Sequence, residues 1–337
     1  MFRDQRAAEQ RKGGVVSSVR VAVACSNIAL VKYWGKSPRG GNLTAVPSLS
    51  LTLDALRTKT SVRFDDALPA DCLKIGDEWA SGRPLTRAVK LLDEVRALGS
   101  ISARAEIVSQ NDFPTASGLA SSASGFAALA LAAQAAAGLS LPVAEVSRLA
   151  RRASASAARS LFPGFVELLS EAEAAAPVAP ADWLDVRMLV AVTSTGPKST
   201  LSTDGMLHTQ ATSPYYPAWV ASSPAIFARG KEALLARDIE QLGQAMEQST
   251  LLMHASMMAA DPSLIYLRGA TLDVIERVRA LRASGTLAFF TMDAGPHVKV
   301  LVETSSAPRV AAALAELPGV TRVLQSAPGP AAYLEAN

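Results

Sequence analysis

A run of small residues that leads into an alanine-rich stretch is the feature that most constrains this fold. Residues 114–125 read PTASGLASSASG, and residues 126–138 are mostly Ala and Leu without a charged side chain. The apolar stretch is shorter than the roughly 20 residues that span a bilayer, so it predicts a buried helix. A loop of small residues entering a helix presents unpaired backbone N–H groups to an anion. The pattern therefore predicts a phosphate-binding loop followed by a tightly packed helix.

This loop differs from two common motifs. No Lys follows its last Gly, as a Walker A loop requires, and no Ser in it has the Gly-x-Ser-x-Gly setting of a nucleophile elbow. The hydroxyls of Ser117, Ser121, Ser122 and Ser124 add hydrogen-bond donors. Taken alone, the segment fits a capped, closely packed helix as well as a ligand site.

Composition and charge limit the class of protein. The 337 residues are enough for about two domains of roughly 150 residues. Hydrophobic residues make up 49% and charged residues 19%, which is a globular composition. The net charge of +3 argues against nucleic-acid binding by bulk charge, although it permits a local basic pocket.

Cysteine, histidine and the first residues give further expectations. Cys25 and Cys72 cannot build a disulfide framework and suit a reducing cytoplasm. Three scattered His residues argue against a transition-metal site made by the chain alone. Residues 1–18 are polar and lack the apolar stretch of a signal peptide, so they predict a disordered extension.

Hydrophobic periodicity predicts alternating strands and helices. In the first half we expect strands at 19–24, 48–53, 58–64, 73–75 and 103–109, and helices at 87–98, within 113–138 and at 143–158. In the second half we expect strands at 188–192, 287–292, 297–303 and 320–325, and helices at 219–229, 239–258, 264–284 and 309–317. The order in the second half resembles a split βαβ layout. The Ala- and Pro-rich residues 171–180 predict a boundary between domains at 19–183 and 184–337.

Four further segments carry residues suited to chemistry. Residues 26–36 read SNIALVKYWGK, and their lysines and Tyr hydroxyl could hold a phosphorylated ligand. Residues 291–297 read TMDAGPH and place one carboxylate after a buried strand, where a general base can be held rigidly. Residues 153–167 contain an Arg among small residues, a setting for bidentate anion binding. Residues 195–206 predict a hydroxyl-rich loop. Each segment alone also fits an ordinary strand end, turn, helix end or loop.

Together and in this order, the segments resemble the mevalonate diphosphate decarboxylases of the GHMP kinase superfamily. The resemblance covers residues 21–302, with 27–36 and 47–53 (PSLSLTL) as the N-terminal signature and 114–125 as the phosphate loop. Residues 154–167 resemble the substrate-binding segment, and 293–296 resemble the catalytic aspartate turn. The resemblance implies an α+β fold of the GHMP kinase type. Its N-terminal domain would be ribosomal S5 domain 2-like and its C-terminal domain ferredoxin-like, with the active site between them.

The resemblance also implies a reaction and its partners. ATP, with Mg²⁺, would phosphorylate the 3-hydroxyl of (R)-5-diphosphomevalonate, and decarboxylation would then give isopentenyl diphosphate, ADP, phosphate and CO₂. The protein would be a cytoplasmic homodimer that binds a phosphorylated mevalonate and neither nucleic acid nor membrane.

Roles for individual residues follow from the same resemblance. Asp293 would orient or deprotonate the 3-hydroxyl, Arg159 would hold the substrate carboxylate, and Ser202 would lie near the γ-phosphate. Asn27 and Lys32 would support the Asp293 site. The diphosphate would be held by Tyr33, Lys36, Ser154, Ser156 and Thr203. The ATP phosphates would be held by Ser117, Gly118, Leu119, Ala120, Ser121, Ser122 and Lys198.

Several residues depart from the family pattern. Ala153, Ala155 and Ala158 stand where two Gly and a Cys are usual, and His297 stands where Asn is usual. The added methyl groups could reshape the phosphate pocket, so the substrate's phosphorylation state stays open. A phosphomevalonate decarboxylase and a mevalonate 3-kinase of the same family are the alternatives. A non-catalytic nucleotide-binding paralogue is a weaker one, because it would not need Asp293, Lys36 and Arg159 together.

Overall fold

The computed structural model describes residues 17–113, 121–193 and 200–336, and the descriptions below concern these residues. Their strands are β1 (Arg20–Val31), β2 (Ser48–Asp65), β3 (Cys72–Ile75), β4 (Glu78–Trp79), β5 (Arg104–Asn111), β6 (Phe165–Leu168), β7 (Ala176–Ala179), β8 (Val186–Val192), β9 (Ala288–Met292), β10 (Val298–Glu303), β11 (Arg322–Ser326) and β12 (Tyr333–Leu334). Their helices are α1 (Arg83–Gly99), α2 (Ser121–Ala136), α3 (Val143–Ala153), α4 (Ser202–Thr212), α5 (Tyr216–Leu235), α6 (Ile239–Met258), α7 (Gly269–Ala283) and α8 (Ala307–Ala315). Two 3₁₀ segments, Ala155–Leu161 and Thr304–Ser306, complete the elements.

The first sheet is built around the long strand β2. Its strands lie in the order β12-β1-β2-β5-β3-β4, and β6 also pairs with β2 and carries β7. The sequence predicts two strands at 48–53 and 58–64, whereas the structure has one continuous strand. Residues 48–51 of β2 pair with β6, and residues 58–65 pair with β5. On its other edge, β2 pairs with β1 along both of these parts. Residues 54–57 (DALR), which lie between the two predicted strands, therefore continue the strand.

Helix α2 packs directly on β1 and β2 because its side chains are small. Ala127, Ala128, Ala130, Ala132 and Ala133 are fully buried. A methyl-lined face lets the helix backbone approach the sheet closely, and the interior is packed without large side chains. The alanine bias of the sequence is thus used in this interface.

The second sheet has the strand order β11-β8-β10-β9, with every neighbouring pair antiparallel. Numbered by their order in this half, these strands read 4-1-3-2, the arrangement of a ferredoxin-like split βαβ fold. One face packs against α7 and α8, and the other packs against α5, α6 and the first sheet. The two sheets are therefore joined through one continuous apolar layer.

The end of the described chain returns to the first sheet. Tyr333 and Leu334 of β12 pair with Val23 and Ala22 of β1. The segment 171–180, predicted as a boundary, contains β7 and also belongs to the first sheet. The division into 19–183 and 184–337 stays a prediction. Ser17, within the predicted disordered extension, is hydrogen-bonded through its backbone and hydroxyl to Phe64.

Two predicted elements near the site are wrong. The helix expected over 143–158 ends at Ala153, because Ser154 is extended (φ −151°, ψ 118°), and a 3₁₀ segment follows. The end of the loop expected over 195–206 is the start of α4. This helix lacks a long apolar stripe, since its buried residues are Gly205, Met206 and Thr209, so periodicity did not reveal it. Among the described residues, no helix is long and apolar enough to cross a membrane.

Candidate active site

A cavity of about 800 Å³ lies where the end of β1, the first turns of α2 and α4, the 3₁₀ segment Ala155–Leu161 and the loop after β9 meet. Twelve predicted site residues line it: Asn27, Lys32, Tyr33, Lys36, Ser121, Ser122, Ser154, Ser156, Arg159, Ser202, Thr203 and Asp293. The remaining five, Ser117, Gly118, Leu119, Ala120 and Lys198, lie outside the described residues. The structure therefore brings together every predicted site residue that it describes.

Two lysines flank the Asp293 carboxylate. Lys32 Nζ lies 2.7 Å from Oδ1, and Lys299 Nζ lies 3.0 Å from Oδ2. Burial alone would raise the pKa of Asp293, but the two ammonium groups outweigh it and hold that pKa well below its usual range. Burial lowers the pKa of Lys32 to about 8, against the opposing effect of Asp293. The sequence prediction missed Lys299, because a lysine within an apolar strand gives no local sign of its partner.

Arg159 is held by groups that leave part of its guanidinium free for a ligand. It is buried, its Nε donates to Asn27 Oδ1 (3.1 Å), and its Nη1 donates to Ser48 Oγ (2.8 Å). Asn27 Nδ2 donates in turn to Ser160 Oγ (2.7 Å) and to the carbonyl of Ser156 (2.9 Å). Asn27 therefore supports Arg159, whereas the family resemblance assigned it to the Asp293 site. Ser48 is a further supporting residue that the prediction missed.

The other end of the cavity is also basic. Lys36 Nζ donates to Asn42 Oδ1 and lies 5.6 Å from the centre of the Tyr33 ring. Burial, followed by the charges of neighbouring arginines, lowers the pKa of Lys36 to about 8. Arg87 of α1 lines the same wall and donates through Nε to the carbonyl of Ala153 (2.8 Å). The sequence did not single out Arg87, because a basic residue on a polar helix face usually lies in solvent.

Positive charge dominates the cavity wall. Its cationic residues are Lys32, Lys36, Arg83, Arg87, Lys90, Arg152 and Arg159, whereas Asp293 is the one acidic residue among the described lining positions. At the mouth, Arg83 of α1 makes a bidentate pair with Asp204 of α4 (2.8 and 2.9 Å). A cleft lined with one sign of charge focuses the field and attracts ligands of the opposite sign. This cavity is therefore suited to polyanions.

The hydroxyls at the start of α2 divide into two groups. Ser121 and Ser122 line the cavity, as a phosphate site requires. Ser124 is fully buried, with its Oγ 2.6 Å from Thr58 Oγ1 and 3.1 Å from Ser26 Oγ. The expectation that Ser124 faces a ligand is wrong, because its hydroxyl ties α2 to the first sheet.

The donor groups of the cavity fit a metal ion that is bound through a nucleotide. The described residues contain no cluster of three or more His, Cys, Asp or Glu side chains that could hold a metal. The carboxylate in the cavity is already paired with two lysines. Mg²⁺ prefers phosphate oxygens and water with few protein ligands, so ATP can carry it into this site and hydroxyls such as those of Ser121 and Ser122 can assist.

Fold and cavity together define a phosphoryl-transfer protein of the GHMP kinase class. Residues 24–179 match the family described as the diphosphomevalonate decarboxylase-like N-terminal domain, and residues 188–329 match the mevalonate 5-diphosphate decarboxylase C-terminal domain. The chain belongs to the mevalonate diphosphate decarboxylase family, so the predicted family and fold class are confirmed.

Individual relatives are similar over most of their length. The diphosphomevalonate decarboxylase of Candida albicans is 33% identical, over 90% of this chain and 94% of that protein. The crystal structure of mevalonate diphosphate decarboxylase from Staphylococcus aureus is 34% identical with a TM-score of 0.90, covering 96% of this chain and 99% of that one. The structure of MDDEF in complex with MVAPP, AMPPCP and magnesium is 36% identical with a TM-score of 0.89, covering 96% of this chain and 100% of that one.

Proposed function

We propose that this protein is an ATP-dependent diphosphomevalonate decarboxylase. It converts (R)-5-diphosphomevalonate, with ATP and Mg²⁺, into isopentenyl diphosphate, ADP, phosphate and CO₂. The observation that carries the proposal is one cavity in which a doubly paired carboxylate, Asp293, and a buried guanidinium, Arg159, lie within a basic wall. The relatives' established activity supports the same reaction.

The reaction requires a leaving group and a place for charge. The 3-hydroxyl oxygen takes the γ-phosphoryl group of ATP and loses its proton, which turns a poor leaving group into phosphate. The C3–O bond then breaks with its electrons on phosphate. The electrons of the C1–C2 bond form the C2=C3 double bond as CO₂ departs. Positioning and charge stabilisation are the main contributions that a protein makes to such a transfer.

We assign roles to the residues from their contacts. Asp293 accepts a hydrogen bond from the 3-hydroxyl, and Lys32 keeps the carboxylate ionised. Arg159 offers its free N–H groups to the substrate carboxylate, since Asn27 and Ser48 occupy the others. The diphosphate lies at the end with Tyr33, Lys36, Ser154, Ser156 and Thr203, where Arg87 adds a further cation.

The remaining roles concern ATP. Ser121 and Ser122, with the preceding residues Ser117, Gly118, Leu119 and Ala120, hold its phosphates, and Ser202 lies near the γ-phosphate. Lys198 supplies a further charge near the triphosphate. When bound, Mg²⁺ neutralises part of the phosphate charge. The proposal that the chain acts as a homodimer rests on the family resemblance. The proposal that it acts in the cytoplasm rests on that resemblance and on its two unpaired cysteines, Cys25 and Cys72.

A substrate panel tests the function. The purified chain is mixed with Mg-ATP and mevalonate, its 5-phosphate or its 5-diphosphate, and both ADP and CO₂ are followed. We expect equal amounts of ADP and CO₂ with the 5-diphosphate alone. ADP without CO₂ would identify a kinase, and turnover restricted to the 5-phosphate would identify a phosphomevalonate decarboxylase. ATP binding without turnover of any of the three would indicate the non-catalytic paralogue.

A further inference from the structure

Lys299 occupies a position in the second sheet where an apolar residue is expected. It lies on β10, which is hydrogen-bonded to β8 on one side and β9 on the other. On this strand Val298, Val300 and Val302 pack in the core with α7 and α8, whereas Leu301 packs in the core between the sheets. Because side chains alternate along a strand, Lys299 shares the face of Leu301. It is 1% exposed, so the fold buries an ammonium group in an apolar layer.

Burying a lysine is unfavourable unless a counter-charge compensates it. The structure gives Lys299 one such group: its Nζ lies 3.0 Å from Asp293 Oδ2, with the carbonyl of His297 at 3.4 Å. Lys299 is absent from the cavity wall, whereas Asp293 and Lys32 are part of it. Any influence of Lys299 on a bound ligand therefore passes through Asp293.

We propose that Lys299 is a positioning residue for the decarboxylation reaction. Its ammonium group clamps Oδ2 of Asp293 from outside the cavity wall, while Lys32 holds Oδ1. With both oxygens paired to an ammonium group, the carboxylate keeps one orientation in the cavity wall. The clamp has one lysine from each half of the chain, Lys32 directly after β1 and Lys299 on β10 of the second sheet. It therefore also fixes the distance between the Asp293 loop and the wall that holds Arg159. This inference rests on the proposed function.

The pH dependence of turnover distinguishes a clamp from simple packing. The charged or titratable groups around Asp293 are Lys32, Lys299, Arg159, Tyr33 and His254. Lys299 lowers the pKa of Asp293 and also, by repulsion, that of Lys32. Removing its charge raises both pKa values, so the alkaline limb of the kcat profile, which follows loss of the Lys32 proton, moves to higher pH. A purely structural defect would lower the whole profile without moving either limb.

The test uses the purified full chain with Mg-ATP and the mevalonate substrate that the wild type turns over. Lys299→Met keeps the side-chain length and removes the charge, and we expect kcat at pH 7 to fall about 10²-fold, the lower range for loss of an effectively placed proton-transfer group. The KM values for both substrates should change little, because Lys299 does not line the cavity. Lys299→Arg should recover most of the lost kcat and the wild-type pH limbs.

A matched control is available elsewhere in the molecule. Lys231 pairs with Glu167 at 2.7 Å and does not line the cavity, so Lys231→Met removes a paired lysine that contacts neither Asp293 nor the cavity. This control should retain the wild-type kcat and pH profile. If Lys299→Met does not fold, Lys299→Gln gives the same comparison, since its amide retains a donor without the charge.

The outcomes separate the two proposals. Failure of the wild type to turn over any mevalonate substrate would refute the proposed function. An active wild type with a Lys299→Met or Lys299→Gln variant of unchanged kcat and pH limbs would refute the clamp alone. The clamp would also be refuted if kcat fell without a shift in the pH profile and Lys299→Arg did not restore kcat. That result would show that Lys299 contributes only to packing.

Discussion

Asp293→Asn is the substitution whose consequences the structure specifies most fully. The amide keeps the size of the side chain and removes the charge that serves both Lys32 (2.7 Å) and Lys299 (3.0 Å). Removing one partner of a buried ion pair typically costs about 3–5 kcal/mol of stability, because the other charge is left uncompensated. Two ammonium groups lose their counter-charge here, so we expect the upper part of that range. Loss of the carboxylate should also lower kcat by about 10²–10⁴-fold.

The stability deficit of Asp293→Asn should depend on pH. Burial lowers the pKa of Lys32 to about 8 in the wild type, and without Asp293 this pKa falls further. In the unfolded chain, lysine keeps its proton to about pH 10.4. At any pH where Lys32 is neutral in the folded protein but protonated in the unfolded chain, the unfolded state binds more protons. The free energy of unfolding then rises with pH. In the variant the free energy of unfolding begins to rise at a lower pH than in the wild type. The difference in stability between the two proteins should therefore narrow between pH 6 and pH 8.

Urea unfolding at pH 6, 7 and 8 measures this deficit for the variant and the wild type, and ADP release measures turnover. ATP binding should persist in the folded variant. A stability deficit that stays constant across these pH values would show that the two lysines do not depend on Asp293. A variant that retains wild-type kcat would refute the role of the carboxylate in the reaction.

Three other substitutions address different parts of the molecule. Arg159→Lys should raise KM for the mevalonate substrate about tenfold or more and leave KM for ATP unchanged. Lysine lacks the planar guanidinium group that can bind Ser48 and a carboxylate together. An unaltered KM for the mevalonate substrate would contradict the assignment of Arg159 to the substrate carboxylate. Gly243→Ala should destabilise the fold by about 1–3 kcal/mol in urea unfolding, because the added methyl overlaps the ring of Phe289; wild-type stability would show that the ring moves freely. Arg83→Gln should leave the midpoint of urea unfolding nearly unchanged, because both partners of its pair with Asp204 are about half exposed; a clear drop in the midpoint would mean that the ion pair is structural.

Periodicity predicted the elements that show one buried face. Helix α6 has the predicted bounds, 239–258, and the four strands of the second sheet lie within two residues of their predicted starts. Helix α4 escaped prediction because its contacts with the site, rather than an apolar stripe, define it. Gln210 on α4 exchanges two hydrogen bonds of 2.8 Å with the backbone of Lys36, a partner 174 residues away. Local patterns cannot report such an interaction.

The site was predictable to the extent that its residues stand in ordered motifs. Asp293, Arg159 and Lys32 lie within distinctive segments, and the structure brings them to one cavity. Lys299 and Arg87 were missed because each contacts the site through tertiary structure, from a strand or helix whose local sequence is ordinary. Ser48 lies in the recognised segment 47–53, but its contact with Arg159 is visible only in the structure. Composition indicated a nearly neutral protein and could not show that its cations gather on one wall.

The pairing of β12 with β1 has a consequence for synthesis. β1 is the first strand along the described residues and its partner β12 is the last, so all the other described strands are made between them. The edge of β1 that β12 covers therefore stays open until β12 has been made, and an open edge is a place where chains join. The first sheet is completed only once β12 has been made, so deleting Tyr333 and Leu334 should lower soluble yield more than a deletion of equal size in a surface loop.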